Sequence, residues 1–174
     1  MRFILFLTIL ASIVPAAAEP RLPPSSHVSS AVLADLAIPK PVLRHIIRDS
    51  GKIFAGTVIK VERVDPTPAS AIATTQITFR VEEPIRGVRQ GQVVQVQEWS
   101  GLWQTGERYR VGERVLLFLY PPSKLGLTSP VGGTVGRLQI DRNRRVALKS
   151  ASTARARTIK LKTLAAALRR AAKE

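Results

Sequence analysis

A hydrolytic nucleophile needs a base within hydrogen-bond reach, and histidine is the usual one. The 174-residue chain holds only His27 and His45. His27 lies in a stretch of prolines and serines and His45 stands beside Arg44 and Arg48, so both read as solvated surface groups. Metal chemistry is no better served, because the chain has neither cysteine nor closely spaced histidines nor a loop of alternating aspartates. Glu82-Glu83 is an adjacent acidic pair, but neighbours in a strand point to opposite faces and do not converge. Gly132-Gly133-Thr134-Val135-Gly136 resembles a phosphate loop only superficially. It lacks the Gly-Lys-Ser/Thr ending and no helix is expected to follow it, so a plain turn is the better reading. No catalytic residue, cofactor site or metal site is expected, and the chain does not read as an enzyme.

What remains is recognition. Trp99, Trp103, Arg108, Tyr109 and Arg110 fall close together, and aromatics beside arginine can stack on bases or sugar rings. The competing reading is that the tryptophans cap a core. A second candidate is charge. Glu19–Asp141 carries 15 basic and 11 acidic residues, or +4, whereas Arg142–Glu174 carries 11 basic and 1 acidic, or +10. Such asymmetry suits an anionic partner, either nucleic acid or an anionic envelope polymer, and Arg155, Arg157, Lys160 and Lys162 are the expected contacts.

The elements that must position these residues are mostly strands. Val115–Tyr120 is apolar throughout, entered through Gly112-Glu113-Arg114 and left through Pro121-Pro122, which predicts a short strand buried on both faces. Lys52–Val64 alternates, with Ile53, Ala55, Thr57, Ile59 and Val61 expected on one face and Gly56 marking a bulge or bend. Thr74–Glu82 sets Thr75, Ile77, Phe79 and Val81 against a polar face, Gln92–Trp99 follows, and Gly136–Ile140 and Arg145–Leu148 flank a turn as a hairpin. Leu43, Ile46 and Ile47 predict a short helix before the first strand. Leu161, Leu164, Ala165, Leu168 and Ala172 form one stripe of a final helix, read as docking on the core in preference to a membrane or partner.

Met1-Arg2, the apolar Phe3–Val14 and the small residues Ala16 and Ala18 describe a signal peptide, expected to be cleaved before Glu19. Its apolar run is shorter than the roughly twenty residues a membrane span needs, and no later stretch is long enough. The expected organisation is therefore a signal peptide (1–18), a Pro/Ser-rich linker (19–41), a β-barrel domain (42–149) and a basic tail with a C-terminal helix (150–174). The mature protein is expected to be periplasmic or secreted, without disulfides.

Ile53-Phe54-Ala55-Gly56-Thr57-Val58, then Thr78–Glu82 with Gly87, then Gly112–Leu119, then Gly132-Gly133 with Gly136 carry a resemblance to exported bacterial proteins with the barrel of the netrin module and the tissue inhibitors of metalloproteinases. It spans about Leu43–Leu148. The resemblance implies a mainly β fold, a small OB-like barrel of five or six strands. It does not imply metalloproteinase inhibition, which in that family is associated with an amino-terminal cysteine held by disulfides. The function expected is a non-enzymatic binding module whose partner outside the cytoplasm is a protein or an anionic polymer.

Overall fold

Every residue of the apolar run Val115–Leu119 is at most 2% exposed, and this strand organises the molecule. A computed structural model describes residues 40–66, 72–102, 108–148 and 157–173. The expected signal peptide, most of the linker, Trp103 and Arg155 lie outside the described residues.

The chain begins with helix α1 (Lys40–Asp49). Pro41 is accommodated in the first turn, where its missing N–H costs nothing, and the buried Ser50 hydroxyl donates to Ile46 O at 2.6 Å where the helix ends. Strands β1 (Lys52–Val64), β2 (Thr74–Arg86), β3 (Val93–Trp99), β4 (Arg114–Leu119) and the short β5 (Arg137–Gln139) form one antiparallel sheet in the order β3-β2-β1-β4-β5. β6 (Arg145–Leu148) and β7 (Arg157–Lys160) make a separate ribbon, which runs directly into α2 (Leu161–Ala171).

The strands lie close to where alternation predicts them, but three details differ. The central strand stops at Leu119, and Tyr120 is exposed beyond it. The expected hairpin of Gly136–Ile140 with Arg145–Leu148 is reduced to a single bridge, Ile140 to Val146, and β6 makes its ladder with β7 instead. Arg157–Lys160, which by composition reads as polar tail, is that partner.

The β1–β2 ladder is interrupted three times. Ile85 and Glu82 on β2 and Ile59 on β1 are each skipped in the pairing, so each is an extra residue that bends its strand. Beside the second interruption, a Cβ on Gly56 would stand 2.6 Å from Arg80 O, so only glycine permits that approach. The third resets the alternation. Ile53 and Ala55 do share a face as expected, but Ile59 is exposed and Val61 joins the opposite cluster with Phe54 and Val58.

Both faces of the sheet are consequently buried. On one, Ile53, Ala55, Leu116 and Phe118 pack beneath Leu43, Ile46 and Ile47 of α1, Val146 and Ile159 of the ribbon, and Leu161, Leu164 and Leu168 of α2. Docking on the core is therefore what the apolar stripe of α2 does, and Arg169 fastens it by donating to the Glu83 carboxylate and to Pro84 O. On the other, Phe54, Val115, Leu117 and Leu119 meet Ile77, Phe79 and Val81 of β2 and Val94 and Val96 of β3. β3 and β4 are not neighbours in the sheet yet share this cluster, so the sheet curls over itself. Residues 127–130 lie in the gap, where Thr128 N donates to Gln97 O of β3 at 2.9 Å and Tyr120 N, just after β4, donates to Ser129 O at 3.1 Å. These are single bridges, and among the described residues no closed barrel of strand ladders is found. Gly133–Gly136 is a 3₁₀ turn that leads into β5, as its lack of a phosphate-loop ending suggests.

Candidate functional site

Extended chain turns successive side chains to opposite sides, and the segment before β4 uses this to divide its labour. Tyr109 points inward and is 5% exposed, whereas its neighbours Arg108 and Arg110 are exposed. The Tyr109 ring meets Phe79 edge-on at 5.5 Å, and the guanidinium of Arg137 lies 3.9 Å from its centroid. Its hydroxyl donates to the buried Glu98 carboxylate at 3.3 Å. Burial first, and then the Glu98 charge, push the hydroxyl well above its ordinary pKa, so Tyr109 is a neutral hydrogen-bond donor and not a base.

Arg137 ties this tyrosine to the chain on either side of it. Its Nη2 donates to Glu113 Oε1 at 2.8 Å and to Arg108 O at 3.2 Å, and Glu113 Oε2 accepts from Arg110 N at 3.1 Å. Gly112 N and Glu113 O bond to the Val58 main chain at 2.8 and 2.9 Å, which fixes residues 108–113 against β1. The backbone carrying Arg108 and Arg110 is thus held at several points while their side chains project into solvent.

They face an open cleft of about 1150 Å³. Arg108, Tyr109 and Arg110 form one wall, Arg137 and the segment Gln139–Arg142 another, with Thr57 and Arg114 between them. Five arginines line it against two carboxylates, Glu113 and Asp141. Glu113 is engaged by Arg137, and Asp141 Oδ1 accepts from Arg145 N at 2.8 Å within its own turn. Arg114 is paired with Glu82 at 3.3 Å, and Glu82 also accepts from Thr57. Among the described residues no carboxylate pairs with Arg108, Arg110 or Arg142. The arrangement suits an anionic group, which these guanidinium forks can bond in pairs.

The expected aromatic surface is only partly assembled. Arg108, Tyr109 and Arg110 do come together, but Tyr109 is the buried support of the wall. Trp99, 53% exposed, neither caps the core nor lines the cleft; its ring lies over Gly101. Trp103 lies outside the described residues. Arg114, Arg137 and Arg142 carry no motif in the sequence that marks them as cleft residues; the only hint is their position at the ends of apolar segments, where a chain turns. Of the expected polyanion contacts, Lys160 and Lys162 are exposed where β7 enters α2, Arg157 belongs to β7, and Arg155 lies outside the described residues.

Glu82 and Glu83 do not converge, since the first bonds Arg114 and Thr57 and the second Arg169. Among the described residues no three His, Cys, Asp or Glu side chains gather, and no helix is long and apolar enough to cross a membrane. No family model, curated protein or solved structure matches this chain.

Proposed function

We propose that the protein is an exported, non-enzymatic binding module on an OB-like barrel, and that it takes an anionic group into the cleft walled by Arg108, Arg110 and Arg142. The observation that carries this reading is the convergence of five arginines on one cleft whose two carboxylates are already engaged by the protein. The barrel reading is supported by the curl of the sheet and by residues 127–130, which lie parallel to β3 and antiparallel to β4 as a rudimentary closing strand would. Barrels of that kind bind oligonucleotides and oligosaccharides with sheet faces and loops.

Export rests on the pattern of Met1–Ala18. Mass spectrometry of protein recovered from an export-competent host should give an amino terminus at Glu19; a soluble product that retains Met1 would remove export from the reading.

The cleft is tested by calorimetric titration with pyrophosphate and with a tricarboxylate at low salt. Charge-assisted bonds contribute about 1.5–3 kcal/mol each, so Arg110→Gln with Arg142→Gln should weaken binding by tenfold or more. Equal binding by that double variant, or no binding of either anion by wild type, would overturn the assignment.

A further inference from the structure

The five arginines of the cleft are not equally available to a ligand. The side chain of Arg137 is 6% exposed and its Nη2 is divided between Glu113 and Arg108 O, so it belongs to the wall itself. Arg108, Arg110 and Arg142 are exposed, and among the described residues no carboxylate pairs with them. Arg114 differs from both. Its side chain is 42% exposed and lines the cleft, yet its Nε lies 3.3 Å from Glu82 Oε1.

The backbone explains why Glu82 is there. It is the extra residue of the second interruption in the β1–β2 ladder, between Val81, which pairs with Gly56, and Glu83, which pairs with Ala55. A bulge re-aims the side chain it carries. That of Glu82 reaches across β1 toward β4, where Thr57 and Arg114 stand in register. It accepts from the Thr57 hydroxyl and pairs with Arg114, and Arg144 Nη2 lies 3.8 Å from its second oxygen. Arg144 has a φ of 57° and is the last residue of a three-residue loop, closed by Asp141 N donating to Arg145 O at 2.9 Å. Glycine is the usual residue at such a left-handed position. An arginine is unfavourable there for the backbone, and the partner that its side chain reaches from it is Glu82. Two cations from two elements and one hydroxyl thus converge on a single carboxylate, a network and not an isolated surface pair.

We infer that Glu82 is an internal counter-ion of the cleft, an autoinhibitory contact that keeps Arg114 from the ligand, so that an anion is bound through Arg108, Arg110 and Arg142 alone. This rests on the anion-binding reading of the cleft and describes how that site is restrained. The test is a double-variant cycle in the full chain, with Glu82→Gln, Arg114→Gln and the two combined, read by calorimetric titration with pyrophosphate and the tricarboxylate. The amide of Glu82→Gln keeps an oxygen for the Thr57 hydroxyl and loses the charge that holds Arg114.

Glu82→Gln should raise the affinity for both anions by about tenfold, the effect of one additional charge-assisted bond. Arg114→Gln alone should stay within about twofold of wild type, the scatter of independent sites, and should abolish the gain when combined with Glu82→Gln. A gain that persists in the combined variant would come from the general field of the lost carboxylate and would overturn the inference, as would no gain at all. Weakening of wild-type binding by Arg114→Gln beyond that twofold would also overturn it, because Arg114 would then already serve the ligand. In each of these cases the cleft stands. Absence of binding of either anion by wild type would overturn both readings. Circular dichroism checks the fold of each variant; should Glu82→Gln not fold, Arg114→Gln, which removes an exposed charge, decides alone.

Discussion

Tyr109 links the second core to the cleft through one ring and one hydroxyl. Tyr109→Phe keeps the ring contacts to Phe79 and Arg137 and removes the bond to Glu98, so it should cost about 1–3 kcal/mol at neutral pH. The raised hydroxyl pKa adds a signature that simple packing would not have. Below about pH 10 the tyrosine is protonated in both folded and unfolded chain, and its contribution is fully present. Above that, the unfolded chain releases the proton while the folded chain retains it, so stability falls by roughly 1.4 kcal/mol per pH unit. Urea midpoints at pH 9 and pH 11 should therefore fall further for wild type than for Tyr109→Phe; parallel declines would show that the hydroxyl is not buried as described. Arg137 has the opposite vulnerability. Arg137→Met would leave Glu113 without its guanidinium in a half-buried position, so a loss of about 3 kcal/mol or more is expected, together with weaker anion binding as residues 108–110 lose their anchor.

At the scale of elements, the pattern of side chains predicts the strands better than it predicts their faces. Alternation in β3 is readable because each residue's burial follows its parity. β2 is readable from its apolar face although Thr74 and Thr78 of the other face are buried too, and the run of β4 is readable because it is apolar at every position and buried at every position from Val115 to Leu119. In β1 that parity is broken at Ile59, and nothing in the residue types announces it, since an extra isoleucine on either face would look equally plausible. β7 is illegible for another reason. Of its four residues, Arg157, Thr158 and Lys160 are polar, and Ile159, which enters the core, is the one apolar residue, too short a signal to separate from a tail. The site is half legible. Arg108 and Arg110 are marked by their aromatic neighbour, but the burial of Arg137 comes from a partner 24 residues away and Arg142 is brought in by a turn. Two substitutions test these elements. Gly56→Ala should lower stability by about 1–3 kcal/mol, since its Cβ meets the Arg80 carbonyl. Leu164→Ala, in a fully buried position on α2, should cost about 2–5 kcal/mol. A melting temperature within a degree or two of wild type for Leu164→Ala would mean that α2 does not belong to the core.

For the whole molecule, the decisive feature is that two hydrophobic clusters share one pair of strands. β1 sends Ile53 and Ala55 to one cluster and Phe54 to the other; β4 divides Leu116 and Phe118 from Val115, Leu117 and Leu119 in the same way. The first cluster needs both helices and the ribbon to cover it, and the second needs the sheet to curl. Neither can lose β1 or β4 and survive, so the clusters should unfold together. Leu116→Ala and Leu117→Ala probe this directly, because adjacent residues of one strand remove volume from opposite sides, each at a cost of about 2–5 kcal/mol. Two signals can be followed in one denaturation. Far-ultraviolet helix signal reports on α1 and α2 over the first cluster, and tryptophan fluorescence includes Trp99 at the end of β3, beside the second. Both substitutions should shift both signals to the same lower midpoint, with unchanged cooperativity. If Leu116→Ala moved the helix signal alone while fluorescence kept its wild-type midpoint, the helices would be a separable layer, and the cleft arginines at the β4–β5 end would belong to a sheet that stands without them.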